Sequence, residues 1–122
     1  MKTKMILATA AVAITGVIAP AAGAASKAPT EVTIKGQQGD YYGYVHSSKS
    51  SCESNRTVNV FKLLGSQPDP SVDQKIGSDT AQPNGPDGMW SIGNSGYKHG
   101  KFYAQVKKTS ECQGDLSPVI SR

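Results

Sequence analysis

Short stretches in which apolar and polar residues alternate, each ended by turn residues, constrain this chain more than any other feature. In Lys101–Lys108 the residues Phe102, Ala104 and Val106 share one parity, while Tyr103, Gln105 and Lys107 share the other. An extended strand sends alternate side chains to opposite faces, so this pattern predicts a half-buried strand. Arg56–Lys62 places Val58 and Val60 together, Glu31–Lys35 does so with Val32 and Ile34, and Gly88–Ile92 with Trp90 and Ile92. Tyr41–His46 is aromatic and β-branched, with Tyr41, Gly43 and Val45 on one parity and Tyr42, Tyr44 and His46 on the other. Weaker strands are expected over Val72–Ser78, where Lys75 and Asp73 suit an edge, and over Leu116–Ile120, where Pro118 permits only an edge. Asp79–Gly88, dense in Asp, Asn, Gly and Pro, reads as a long surface loop. No segment of this part of the chain carries helical periodicity. About seven short strands separated by turns predict an all-β, antiparallel two-sheet sandwich of prealbumin-like or immunoglobulin-like type. The expected core is Val32, Ile34, Val45, Val58, Val60, Trp90, Ile92, Phe102, Ala104 and Val106.

The first 24 residues stand apart from this pattern. Lys2 and Lys4 precede an apolar run from Met5 to Ala19, and Ala22-Gly23-Ala24 supplies small residues suited to signal-peptidase cleavage. A secretory signal over 1–24 and a single domain over 25–122 are therefore expected, and the protein is expected to be secreted, free of the membrane after cleavage, and monomeric. A cut after Ala24 leaves 98 of the 122 residues and lowers the basic count from 13 to 11 against 9 acids, a net charge of +2. The remaining lysines are interspersed with acids, without the basic stripe that releases counterions from a nucleic-acid backbone. In an exported chain the two cysteines, Cys52 and Cys112, are expected to form one disulfide.

The motifs taken together resemble a known family. Tyr41-x-Gly43-x-Val45, Arg56-x-Val58-x-Val60, Asp87-Gly88-x-Trp90 and Gly100-Lys101-Phe102-Tyr103-Ala104-x-Val106 are similar, in order and spacing, to the carboxypeptidase regulatory-like group of prealbumin-like (transthyretin-like) sandwiches, in particular its small exported bacterial members. The resemblance spans nearly all of residues 25–122 and implies an accessory or structural module without catalysis. It transfers no active site.

Residues able to carry chemistry are sparse. His46 and His99 show no metal-ligand spacing, and with both cysteines committed to a disulfide no zinc ligand set is legible; no cofactor or metal is expected. No serine lies in a nucleophile motif, so no catalytic residue is assigned. Asp69, Asp73, Asp79, Asn84 and Asp87 could hold Ca²⁺ in their loops, but their spacing does not match an EF-hand and such residues serve turns equally well. Tyr42, Tyr44 and Tyr103 carry the outward parity of their strands and form the candidate binding face, for an extracellular protein or a glycan, unless they only cover the sheet. The expectation is a secreted, non-catalytic structural or binding module; the alternative is a small hydrolase inhibitor presenting the loop from Pro83 to Met89.

Overall fold

The computed structural model describes residues 26–122, so the expected signal segment and its cleavage point lie outside the described residues. Ten strands follow in order: β1 (Thr30–Val32), β2 (Lys35–Gln37), β3 (Asp40–Ser47), β4 (Thr57–Lys62), β5 (Gln74–Thr80), β6 (Gln82–Asn84), β7 (Asp87–Ile92), β8 (Lys101–Val106), β9 (Asp115–Leu116) and β10 (Ile120–Ser121). A 3₁₀ turn, Ser50–Cys52, sits between β3 and β4. The strands form two antiparallel sheets of five. In the first, β3 lies between β7 and the pair β1 and β2, with β6 at the far edge; in the second, β8 lies between β4 and the pair β9 and β10, with β5 at the far edge.

Between the sheets lie Val32, Ile34, Tyr41, Val45, Val58, Val60, Ala81, Trp90, Phe102, Ala104 and Val106, the inward parities of both sheets. Ile92, expected among them, packs against this core only half-buried. Tyr41 and Ala81 are core residues beyond those expected. The Tyr41 ring tilts against Phe102 at 4.8 Å and its hydroxyl donates to the Tyr97 carbonyl at 2.7 Å, so its polar end is satisfied where the ring is buried.

The expected strand over Glu31–Lys35 is two strands, and Trp90 shows why. The Thr33 carbonyl turns inward and accepts the indole N–H of Trp90 at 3.2 Å. Tyr44 N–H therefore bonds the Thr33 hydroxyl oxygen instead, at 2.8 Å, and the ladder resumes only at Lys35. Gly43 makes room for this: a Cβ there would stand 2.0 Å from the Thr33 carbonyl oxygen.

The expected loop over Asp79–Gly88 is mostly strand. β5 runs on to Thr80, the chain turns a corner at buried Ala81, and β6 and β7 form a hairpin in the other sheet with Asn84 opposite Asp87. Ala81 N–H donates to the Arg56 carbonyl and its own carbonyl accepts Asn55 N–H, so the corner is held by the start of β4. The expected last strand is likewise divided, into β9 and β10, both pairing with the free side of β8. Cys52 and Cys112 are bonded, with Cα atoms 5.7 Å apart.

Candidate functional site

Along β3 burial alternates without exception: Tyr41, Gly43, Val45 and Ser47 are buried, and Asp40, Tyr42, Tyr44 and His46 are exposed. The outward residues stand on a strand hydrogen-bonded on both sides, so their Cα positions are fixed. Tyr42 lies between Lys35 on β2 and Ser91 on β7. Tyr44 lies beside Met89 on β7, which faces Gln82 on β6, and His46 lies beside Glu31 on β1. Tyr42, Tyr44 and Met89 keep 45%, 42% and 43% of their surface exposed. Neighbouring residues of one face stand roughly 7 Å apart along a strand, so the two rings form a short row with an apolar thioether beside it.

Tyr103 does not join that row. Its strand belongs to the second sheet, and the residue is fully buried. Its parity is outward as expected, but residues 63–73 fold over that side of the sheet. The ring stacks on Phe61 with centroids 5.4 Å apart, and the hydroxyl donates to Asp73 Oδ2 at 2.5 Å. Burial, reinforced by the Asp73 carboxylate, raises the Tyr103 pKa. The same hydrogen bond, with the N–H groups of Asp69 and Leu64 donated to the carboxylate, lowers the pKa of Asp73. Tyr103 is thus the floor of a small second core.

The other candidates disperse. Asp69 accepts the N–H and the hydroxyl of Ser71, and Asp79 accepts Ser91 N–H, so these acids serve turns and a strand edge. The loop from Pro83 to Met89 is a hairpin whose tip is Gly85-Pro86, with Gly85 at φ +63°. Ser47 and Ser117, the two buried serines, donate to the carbonyls of Pro29 and Pro118. A groove of about 740 Å³ lies away from the tyrosines, along β8 and β9, and is lined in part by Pro70, Gln105, Lys107, Lys108 and Leu116.

One grouping has no counterpart in the sequence spacing. Asp87 opens β7 next to His46, and Glu53 follows the 3₁₀ turn, so three residues from separate segments converge. His46 Nδ1 stands 2.6 Å from Asp87 Oδ1 and 3.6 Å from Glu53 Oε2. The hydrogen bond to Asp87 is the main reason the His46 pKa is raised, with Asp87, Glu53 and Glu31 charges adding to it. Only the fold brings them together; His46 lies 41 residues from Asp87.

Comparisons with protein-family models, with curated proteins and with solved structures gave no match to this chain. Among the described residues no helix is long and apolar enough to cross a membrane.

Proposed function

We propose that the domain is a secreted, non-catalytic recognition module that binds a glycan chain on the outer face of the first sheet, with Tyr42 and Tyr44 as the stacking anchors. The observation that carries this reading is the pair of tyrosines held out on β3 while every neighbour of the opposite parity is buried. Rings placed on a doubly paired strand lose little further freedom on binding, which favours affinity. Both rings stand partly exposed along one strand, which suits a polymer lying across them better than an enclosed small molecule.

Its chemistry is that of a sugar-binding surface. Tyrosine offers an apolar ring face to the C–H side of a pyranose and a hydroxyl to its polar edge. Lys35, Ser91, Gln82 and His46 surround the rings with donors and acceptors. A protein-binding hot spot is centred on a desolvated apolar cluster, and here the only aliphatic neighbour in register is Met89. The resemblance to the carboxypeptidase regulatory-like group, whose members are accessory modules, agrees with a binding role.

The test is retention on insoluble cell-wall polysaccharides and on a glycan array, comparing wild type with Tyr42→Ala/Tyr44→Ala. Both side chains are exposed, so the variant should keep its fold, which circular dichroism checks. We expect retention of the wild type and at least a tenfold loss, about 1.4 kcal/mol, in the variant. Equal binding by both proteins overturns the reading.

A further inference from the structure

We propose that His46, Glu53 and Asp87 form a binding site for a divalent transition metal, with Zn²⁺ the best-matched ion. One nitrogen and two carboxylate oxygens, one from each residue, lie within 4.8 Å of one another. Two ligand atoms at about 2.0–2.2 Å from a tetrahedral Zn²⁺ stand roughly 3.3–3.5 Å apart. The His46–Glu53 separation of 3.6 Å is already near that value. The His46–Asp87 separation of 2.6 Å is that of a hydrogen bond, and must widen by roughly 0.8 Å when the ion takes the place of the proton between them. Rotation of the Asp87 side chain and the imidazole accommodates such a change without moving a strand.

Each ligand is carried by a different, firmly placed segment. His46 projects from β3 and Asp87 from the first position of β7, adjacent strands whose register is fixed through Val45 and Gly88. Glu53 follows directly on Cys52, which the disulfide anchors, and its Oε2 accepts Ser47 N–H at 3.1 Å. Its backbone is pressed onto β7: a Cβ at Gly88 would stand 1.5 Å from the Glu53 carbonyl oxygen, so only glycine at 88 lets Glu53 approach Asp87 this closely. Glu53 is correspondingly shielded, with 12% of its side chain exposed, whereas His46 is 60% exposed and open to an entering ion.

The donor set chooses among metals. Imidazole nitrogen with two carboxylates favours Zn²⁺ and its neighbours over Ca²⁺, which takes six to eight oxygens. Glu31, opposite His46 on β1, adds a third carboxylate charge beside the imidazole. Three protein ligands leave a position open to solvent on a four-coordinate ion. The ion would sit at one end of the Tyr42–Tyr44 row, but its binding is independent of whether that row recognises a glycan.

The experiment is calorimetric titration of the untagged, disulfide-bonded protein with ZnCl₂ in a non-chelating buffer, repeated with CaCl₂. One equivalent of Zn²⁺ is expected to bind saturably, more tightly than Ca²⁺, and to raise the melting temperature reversibly under EDTA. His46→Gln and Asp87→Asn, both near-isosteric, should each weaken binding by at least about tenfold, while His99→Gln should bind as wild type. Absence of saturable Zn²⁺ binding overturns the proposal, as does binding that survives both His46→Gln and Asp87→Asn or that His99→Gln removes.

Discussion

Tyr103 and Asp73 show how a single contact converts an outward-facing residue into an inward one. A tyrosine of solvent parity becomes buried because residues 63–73 bring a carboxylate to its hydroxyl, and that carboxylate also binds two N–H groups of the same loop. The pair makes stability depend on pH at both extremes. Asp73 has a lowered pKa in the folded state, so its contribution is present above its ordinary value of 3.8 and is lost as pH falls through the folded value. Tyr103 has a raised pKa, so its contribution is complete below the ordinary 10.0 and is lost as pH rises past it, when the unfolded state gains by ionising. Melting temperatures should therefore be level between about pH 5 and pH 9 with respect to this pair and fall on either side. In Asp73→Asn the acid limb should be shallower and the plateau lower; an acid limb of unchanged slope would exclude Asp73 as its source. The alternation in Lys101–Lys108 correctly gave Tyr103 its parity. It could not reveal the cover, because what decides burial is a partner 30 residues away.

At the scale of elements, the legible strands were those whose core-facing side is a period-2 row of apolar residues, whether the other side is wet, as in β3, or covered, as in β4 and β8. β3, β4, β7 and β8 carry a period-2 apolar pattern and stand where that pattern places them. The weaker edge strand expected over Val72–Ser78 is β5, shifted to Gln74–Thr80, whereas β6 lacks the pattern, since Gln82, Pro83 and Asn84 are exposed on a short edge strand and the same residue types also make loops. The division between β1 and β2 was hidden for a different reason. The alternation of Val32 and Ile34 is real, but the need of the Trp90 indole for an acceptor breaks the ladder between them, and only Gly43 permits the close approach. Gly43→Ala should therefore be among the most damaging conservative changes in the chain. The added methyl meets backbone at Thr33 and the Trp90 ring nitrogen at 2.9 Å, so relief requires losing the Thr33–Trp90 bond or shifting β1. A loss of about 2–4 kcal/mol in urea unfolding is expected, whereas Gly65→Ala, which meets nothing within 4 Å, should change stability by less than about 0.5 kcal/mol. Similar values for the two would mean that Gly43 has no such role. The His46 cluster was invisible for the same reason as the Thr33 break: its members meet only after the hairpin β6–β7 and the 3₁₀ turn have been placed.

At the scale of the whole molecule, one end of the sandwich is fastened by a disulfide and a buried arginine. Cys52 lies on the connection that leaves the first sheet for the second, and Cys112 lies in the turn after β8. Beside them Arg56, 2% exposed, donates to the carbonyls of Cys52, Lys107 and Gln113 at 2.7–2.8 Å and to the Thr30 hydroxyl at 3.2 Å. No carboxylate is among these acceptors, so three carbonyl dipoles and one hydroxyl face the buried charge, and burial lowers the pKa of the guanidinium. Ala28 completes the knot by pairing with Cys112 through bonds to Glu111 and Gln113. The disulfide thus holds in place the backbone carbonyls that Arg56 requires. Closing a loop of about 60 residues restrains the unfolded chain by roughly 4 kcal/mol, a large share of the 5–15 kcal/mol that a domain of this size has to spare. Cys52→Ser should therefore lower unfolding stability by about 3–5 kcal/mol and the melting temperature by tens of degrees. Arg56 makes the loss local as well as global. Without the bond, hydrogen exchange should accelerate first at Ala28, Gln113 and Lys107, whose N–H groups bond across this end, and only later at the β3 and β7 amides in the middle of the first sheet. Uniform acceleration at this end and in the middle of the first sheet would show that the disulfide acts on the unfolded chain alone, and unchanged stability would show that the two cysteines are not what holds this end of the sandwich closed.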